Sequence, residues 1–165
     1  MVGWNMKRLG DMLAHTVEFV LVIIMAALVS VVFVQVVFRY ILQAPPFWTE
    51  ELARYSFIWV CFLSAALAFH KGEHIVIDMF LGSLSEPRRR FCMAVIDGGI
   101  AVFLCFLVSI SIRAAARSVH ILSPALGISL VYVNLSLPVS AGLMILFLVA
   151  SVVQSITKTR TKGRT

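Results

Sequence analysis

Apolar residues along this chain gather into four long blocks separated by short polar stretches. The blocks run Phe19 to Phe38, Leu52 to Phe69, Phe91 to Ile112 and Leu130 to Val153. Each is close to the roughly 20 residues an α-helix needs to cross about 30 Å of hydrocarbon at about 1.5 Å per residue. With their flanks they predict membrane-crossing helices over about 16–38, 50–70, 89–112 and 130–154. The fold class is therefore an all-α integral membrane protein with four transmembrane helices, its 165 residues forming a single membrane domain.

A weaker pattern lies between the second and third blocks. His74, Asp78, Gly82 and Ser85 recur near a four-residue period and leave the rest of that cylinder apolar. The segment is too short to span, so it predicts a short interfacial amphipathic helix over about 74–84 that lies along the membrane surface or docks on a neighbour. Ser85-Glu86-Pro87 opens the third helix, with proline tolerated in a first turn. Residues 157–165 form a basic C-terminal tail.

Composition agrees with the pattern. Hydrophobic residues make up 61% of the chain, charged residues 13%, and the mean hydropathy is +0.98, too little polar surface for a soluble globule of this size. Lys7 and Arg8 precede the first block as in a secretory signal, but the block exceeds a signal's apolar core and ends at Phe38-Arg39-Tyr40 without a small-residue cleavage pattern. It reads as a retained anchor.

Lys and Arg then set the orientation. Lys7, Arg8, Lys71, Arg88, Arg89, Arg90, Lys158, Arg160, Lys162 and Arg164 fall on one side of a four-helix drawing, and Arg39, Arg54, Arg113 and Arg117 on the other. The positive-inside rule places both termini in the cytoplasm. The net charge of +6 is thus a topological signal and not a nucleic-acid footprint. Cys61, Cys92 and Cys105 all fall inside predicted helices without a C-x-x-C pair, which argues for packing residues over a metal or redox site.

The densest charge cluster near a membrane boundary follows the Gln43-Ala44-Pro45-Pro46 turn, where Trp48-Thr49-Glu50-Glu51 starts the second helix with carboxylates at the favourable end of its dipole. Arg54 lies four residues after Glu50 and three after Glu51, within reach of an ion pair. Trp48 suits an interfacial aromatic anchor. Charged groups at this depth face protein or water, so the cluster is a candidate for subunit assembly. Asp97 is read as the carboxylate well inside a span, shallow enough to reach His70, Lys71 or interfacial water. Small residues at Ala94, Gly98, Ala101, Cys105 and Ser109 of the third helix, and at Cys61, Ala65 and Ala68 of the second, form faces that permit close helix approach to each other or to a partner. Pro138 removes the bond to the carbonyl of Asn134 and predicts a kink.

Cofactor and enzyme chemistry find no footing here. His15, His70, His74 and His120 all sit at span ends or in loops, too shallow for two bis-histidine haems, and the glycines form no phosphate-binding motif. A small exporter of the multidrug type would want an acid central in the first helix, which there offers only Ser30 and Gln35. A stand-alone four-helix transporter or membrane enzyme is the alternative these residues leave.

Phe38-Arg39-Tyr40, Pro46 to Tyr55 with its W-x-E-E-x-x-R pattern, Trp59 to Ala68, and Lys71-Gly72-Glu73-His74-Ile75 with Asp78 resemble the small membrane subunit of the TRAP transporters, the DctQ family. Tyr132 to Pro138 with Gly142 resembles that family's last helix, while Ser64 stands where the family commonly has glycine. The resemblance implies an accessory subunit of a sodium-driven, tripartite importer of organic acids. Its partners would be a large membrane subunit of the DctM kind and, transiently, a periplasmic substrate-binding protein, in contact with membrane lipid. No small molecule would be bound by this chain alone and no cofactor is implied. The assembly candidates are Trp48, Glu50, Glu51, Arg54, His74, Asp78, Asp97 and Pro138.

Overall fold

The computed structural model describes residues 2–44, 46–72 and 86–162 of the chain. Its elements are helices: α1 (Val2–Tyr40), α2 (Phe47–Gly72), α3 (Glu86–Arg117), a single turn α4 (Val131–Asn134) and α5 (Ser136–Lys162). Among the described residues, four stretches are long and apolar enough to cross a membrane: Gly10–Tyr40, Phe47–Lys71, Phe91–Arg117 and Val131–Val153. The expected interfacial helix over 74–84, with His74 and Asp78, lies outside the described residues. Among the described residues there is no strand, only one antiparallel bridge between Leu122 and Ser129.

α1 departs most from expectation. At 39 residues it is about 58 Å long, so it overhangs the hydrocarbon and starts well before residue 16. Around Pro138 the last crossing changes from α4 to α5. The proline has no N–H for the Asn134 carbonyl, and the regular helix is interrupted at Leu135, whose own N–H still reaches the Val131 carbonyl at 2.9 Å. Backbone angles at Leu130 and Leu135 stay right-handed helical, so α4 and α5 run on as one crossing.

α5 is the hub. It packs against α1, α2 and α3, while α1 also lies along α2. In lipid the apolar effect does not drive helices together, so close backbone approach and polar contacts decide which faces meet. On α5 the buried positions include Ser136, Ser140, Ala141, Ala150 and Ser151, beside the large Phe147 and Leu148. The small residues named from the sequence do something else. Cys61, Ala65 and Ala68 on α2 and Ala94, Gly98, Cys105 and Ser109 on α3 are exposed, and a Cβ added at Gly98 would meet nothing within 4 Å. The two faces do not meet each other, because α5 stands between their helices.

Candidate functional site

Polar side chains collect at the two ends of the bundle. At the end bearing the 41–46 and 118–130 connections, Thr49 is fully buried and its hydroxyl donates to the Pro46 carbonyl at 2.7 Å, closing the first turn of α2. Glu51, two residues on, is 7% exposed. Its Oε1 accepts from the Tyr55 hydroxyl at 2.5 Å, and its Oε2 accepts from the backbone N–H groups of Ala125 at 2.9 Å and Leu126 at 2.8 Å.

Those two donors are free for a local reason. Ser123-Pro124-Ala125-Leu126 begins a turn, and the first N–H groups of a turn have no earlier carbonyl to bind. Gly127, at φ +65°, then reverses the chain in the left-handed region that glycine tolerates. Paired backbone bonds between Ser123 and Ile128 and between Ile121 and Leu130 zip the loop shut. Ser123 Oγ is buried without a hydrogen-bond partner among the described residues. A charged acceptor with three donors is a strong contact, and here it joins α2 to a loop more than 70 residues away.

Nearby contacts extend the clamp. Trp59 Nε1 donates to the Tyr132 carbonyl at 3.2 Å, and Asn134 Nδ2 donates to Ser118 Oγ at 2.6 Å. Ser129 Oγ donates to the carbonyl of Val119 at 2.7 Å. The loop is thus fixed to α2, to the end of α3 and to α4.

At the opposite end, α2 is tied to α1. Lys71 Nζ lies 2.8 Å from Glu18 Oε1, and His15 Nδ1 lies 3.5 Å from Glu18 Oε2. His70 sits between α1 and α5, its Nε2 3.6 Å from Asp11 Oδ1 and its ring stacked on Phe147 with centroids 4.4 Å apart. Gly10 packs beside this ring, and a Cβ added there would make an ordinary van der Waals contact with His70 Cε1 at 3.6 Å.

The cluster predicted at the start of α2 is therefore split. Arg54 pairs with Glu50 at 3.1 Å, and both side chains stand largely in the open, whereas Glu51 turns inward and takes no arginine. Trp48 is exposed, and Pro138 lies in the crossing that α5 completes. Asp97 is half-buried on α3, but the cations expected near it turn to α1: Lys71 to Glu18 and His70 to Asp11. On α1, Asp11 and Glu18 both fall within the apolar stretch that begins at Gly10. Sequence reasoning missed Asp11, His15 and Glu18. The one local signal was the His15 and Glu18 spacing of three, hidden by starting the helix too late.

Comparison with known proteins places this architecture. The family profile for tripartite ATP-independent periplasmic transporters, DctQ component, matches residues 28–158. The chain is 30% identical over 141 residues to the sialic acid TRAP transporter small permease protein SiaQ of Vibrio cholerae, covering 86% of this chain and 82% of that one. It is 28% identical over 99 residues to the C4-dicarboxylate TRAP transporter small permease protein DctQ of Rhodobacter capsulatus, covering 59% and 44%. It is also 30% identical over 120 residues to the sialic acid TRAP transporter permease protein SiaT of Haemophilus influenzae, where the match takes 72% of this chain but 19% of a far longer one.

Proposed function

The chain belongs to the DctQ family, the small permease subunits of tripartite ATP-independent periplasmic transporters, and on that premise we propose that it acts as a static brace for the large subunit of an organic-acid importer. It is a multi-pass protein of the inner membrane, and its family is a transporter subunit rather than an enzyme. The observation that carries the bracing role is that α2 is tied at both ends. Glu51 holds it to the distant loop, and Lys71 and His70 hold it to α1. Polar struts at both membrane faces fit a support that keeps its shape while a neighbour moves.

The whole chain works as one membrane domain with both termini in the cytoplasm, on the Lys and Arg asymmetry. The loop-bearing end then faces a binding protein on the periplasmic side, and its exposed Arg39, Arg113 and Arg117 offer that protein a positive surface. Sialic acid and C4-dicarboxylate in the relatives' names support an organic acid as the transported species, with sodium as the coupling ion. Glu50, Arg54, Trp48 and Asp97 contribute to assembly with the large subunit.

Reconstitution tests this. The chain and its cognate large subunit are co-expressed, purified through a tag on this chain, and assayed in proteoliposomes with the binding protein and an imposed sodium gradient. The large subunit co-purifies, and uptake requires both chains. Uptake by the large subunit alone at the full rate, or by this chain alone, would refute the proposal.

A further inference from the structure

The connection from α3 to α4 turns its polar atoms inward and its apolar side chains outward, the reverse of a loop that meets water. Residues 118–130 contain no Asp, Glu, Lys or Arg. Val119, Ile121, Leu122 and Ile128 are exposed, with 64% of Leu122 in the open. Ser118 and Ser123 are buried, and Ser118 Oγ donates to the Ala114 carbonyl at 2.9 Å. The N–H groups of Ile121, Ser123, Gly127 and Leu130 bond to carbonyls within the segment, and those of Ala125 and Leu126 bond to Glu51. We propose that this hairpin is seated in the bilayer, at the boundary between headgroups and acyl chains of the outer leaflet, with lipid covering its apolar face.

Its depth is set along α2. The tip of the hairpin is bound at Glu51, three residues inboard of Trp48, or about 4.5 Å further from the start of the helix. Trp48, Tyr40 and Tyr132 are exposed at this end of the bundle, and exposed Trp and Tyr mark the headgroup level of a membrane protein. Trp59, whose Nε1 holds the Tyr132 carbonyl, lies a further eight residues or about 12 Å along α2. The segment therefore folds back beside α2 instead of rising from its start, and Glu51 itself falls within the apolar stretch Phe47–Lys71. Arg113 and Arg117, exposed just before the hairpin, keep the seat shallow, because their charged heads extend toward phosphates and water.

A lipid environment accounts for Glu51 as well. In hydrocarbon a backbone N–H finds no solvent to bond, so a turn enters only if its donors are met from within the protein. Pro124 has no N–H, and the next two donors are met by the Glu51 carboxylate. In water those donors would be solvated without help, and withdrawing a carboxylate from solvent to reach them would be a cost without a gain. Both ends of the segment run into crossing stretches, Phe91–Arg117 and Val131–Val153, so acyl chains already adjoin it on either side. A cluster of exposed aliphatic side chains at that position is solvated by lipid and not by water.

The seat itself requires only that the chain is embedded; its assignment to the outer leaflet rests on the termini-inside orientation.

Spin labelling tests the proposal. Single nitroxides at Leu122 and at Ile128, in a full-length chain without its native cysteines, are read in vesicles of phosphatidylethanolamine and phosphatidylglycerol. The relaxants are oxygen, which concentrates among acyl chains, and a neutral nickel chelate, which stays in water. Val102, exposed on α3, supplies the lipid reference and Ala44 the aqueous one. Leu122 and Ile128 should be relaxed more by oxygen than by nickel, as at Val102, and Glu51→Ala should invert that preference at Leu122 as the turn leaves the bilayer. Stronger relaxation by nickel in the wild-type chain would overturn the proposal and return the hairpin to water. The same labels in the complex with the large subunit should keep the oxygen preference, and loss of both relaxants there would overturn lipid as the occupant in favour of protein. Failure of the large subunit to co-purify would count against the subunit reading alone, because the vesicle measurement on this chain still decides the seat.

Discussion

Glu51→Ala should loosen the 118–130 loop and lower the melting temperature by several degrees, whereas Glu50→Ala, one residue earlier, should not. The alanine at 51 removes three hydrogen bonds together: from the Tyr55 hydroxyl and from the backbone N–H groups of Ala125 and Leu126. Tyr55→Phe calibrates the scale, because it removes one of the three and leaves the carboxylate with the other two. A single such bond contributes about 1 kcal/mol, which for a chain of this size is a shift of roughly 2–4 °C. Losing all three should give about three times that shift, or roughly 6–12 °C. Glu50 pairs with Arg54, both side chains more than 60% exposed, and exposed pairs of this sort contribute little. The assay is thermal unfolding in detergent, followed by tryptophan fluorescence. Trp59, bonded to the Tyr132 carbonyl, reports on the clamp itself. Limited proteolysis between Ile121 and Leu130 supplies a local readout, with faster cutting in Glu51→Ala only. Equal melting of Glu51→Ala and Glu50→Ala, or a Glu51→Ala shift no larger than that of Tyr55→Phe, would show that the clamp does not hold the loop.

Charge reversal tests the opposite end: Lys71→Glu should lower complex recovery, and adding Glu18→Lys should restore it, with no rescue meaning that the 2.8 Å pair does not join α1 to α2. Phe147→Ala opens a void at a position 1% exposed. Soluble cores lose about 3–5 kcal/mol from such a change, and the lipid reference state should bring the loss to the lower end of that range, read as a drop in melting temperature that Phe147→Leu largely avoids. Single cysteines at Ala44 and at Ser83, in a background without the native three, should label from opposite sides of the membrane, and labelling of both from the periplasm would refute the proposed orientation. Arg54→Ala should reduce recovery of the complex without changing the melting of the isolated chain, because Arg54 is exposed and, among the described residues, bonded within its own helix to Glu50; a drop in melting instead would assign it to internal support.

The crossings were legible because the bilayer imposes a length and a composition that few other structures share. The beginning of α1 was not, since Asp11, His15 and Glu18 lower the apolar signal there while the backbone continues as helix, with Glu18 satisfied by Lys71 from α2. A hydropathy pattern records whether a residue is charged and not whether a partner 53 positions away neutralises it. The small residues show the same limit from the other side. Spacing shows that a face can approach another helix closely, but the outer faces of α2 and α3 and the inner face of α5 carry similar patterns, and only the chain's connections decide which face turns inward.

Glu50 and Glu51 carry that limit to the scale of one residue. Both are glutamates in the first turn of a helix, and both lie within pairing distance of Arg54 along the sequence, at spacings of four and three. Local rules favour either acid, through the helix dipole and through the ion pair. What separates them is the rotation of about 100° between successive helical residues, which turns Glu50 outward to Arg54 and Glu51 inward to the loop. Two unpaired N–H groups wait there, for a reason that lies wholly in Ser123-Pro124-Ala125-Leu126 and its following glycine. The acid at the start of α2 and the turn after α3 are each ordinary by themselves. Their meeting makes the contact, and the four-helix connection that brings the two ends together is what gives the second glutamate a role the first cannot take.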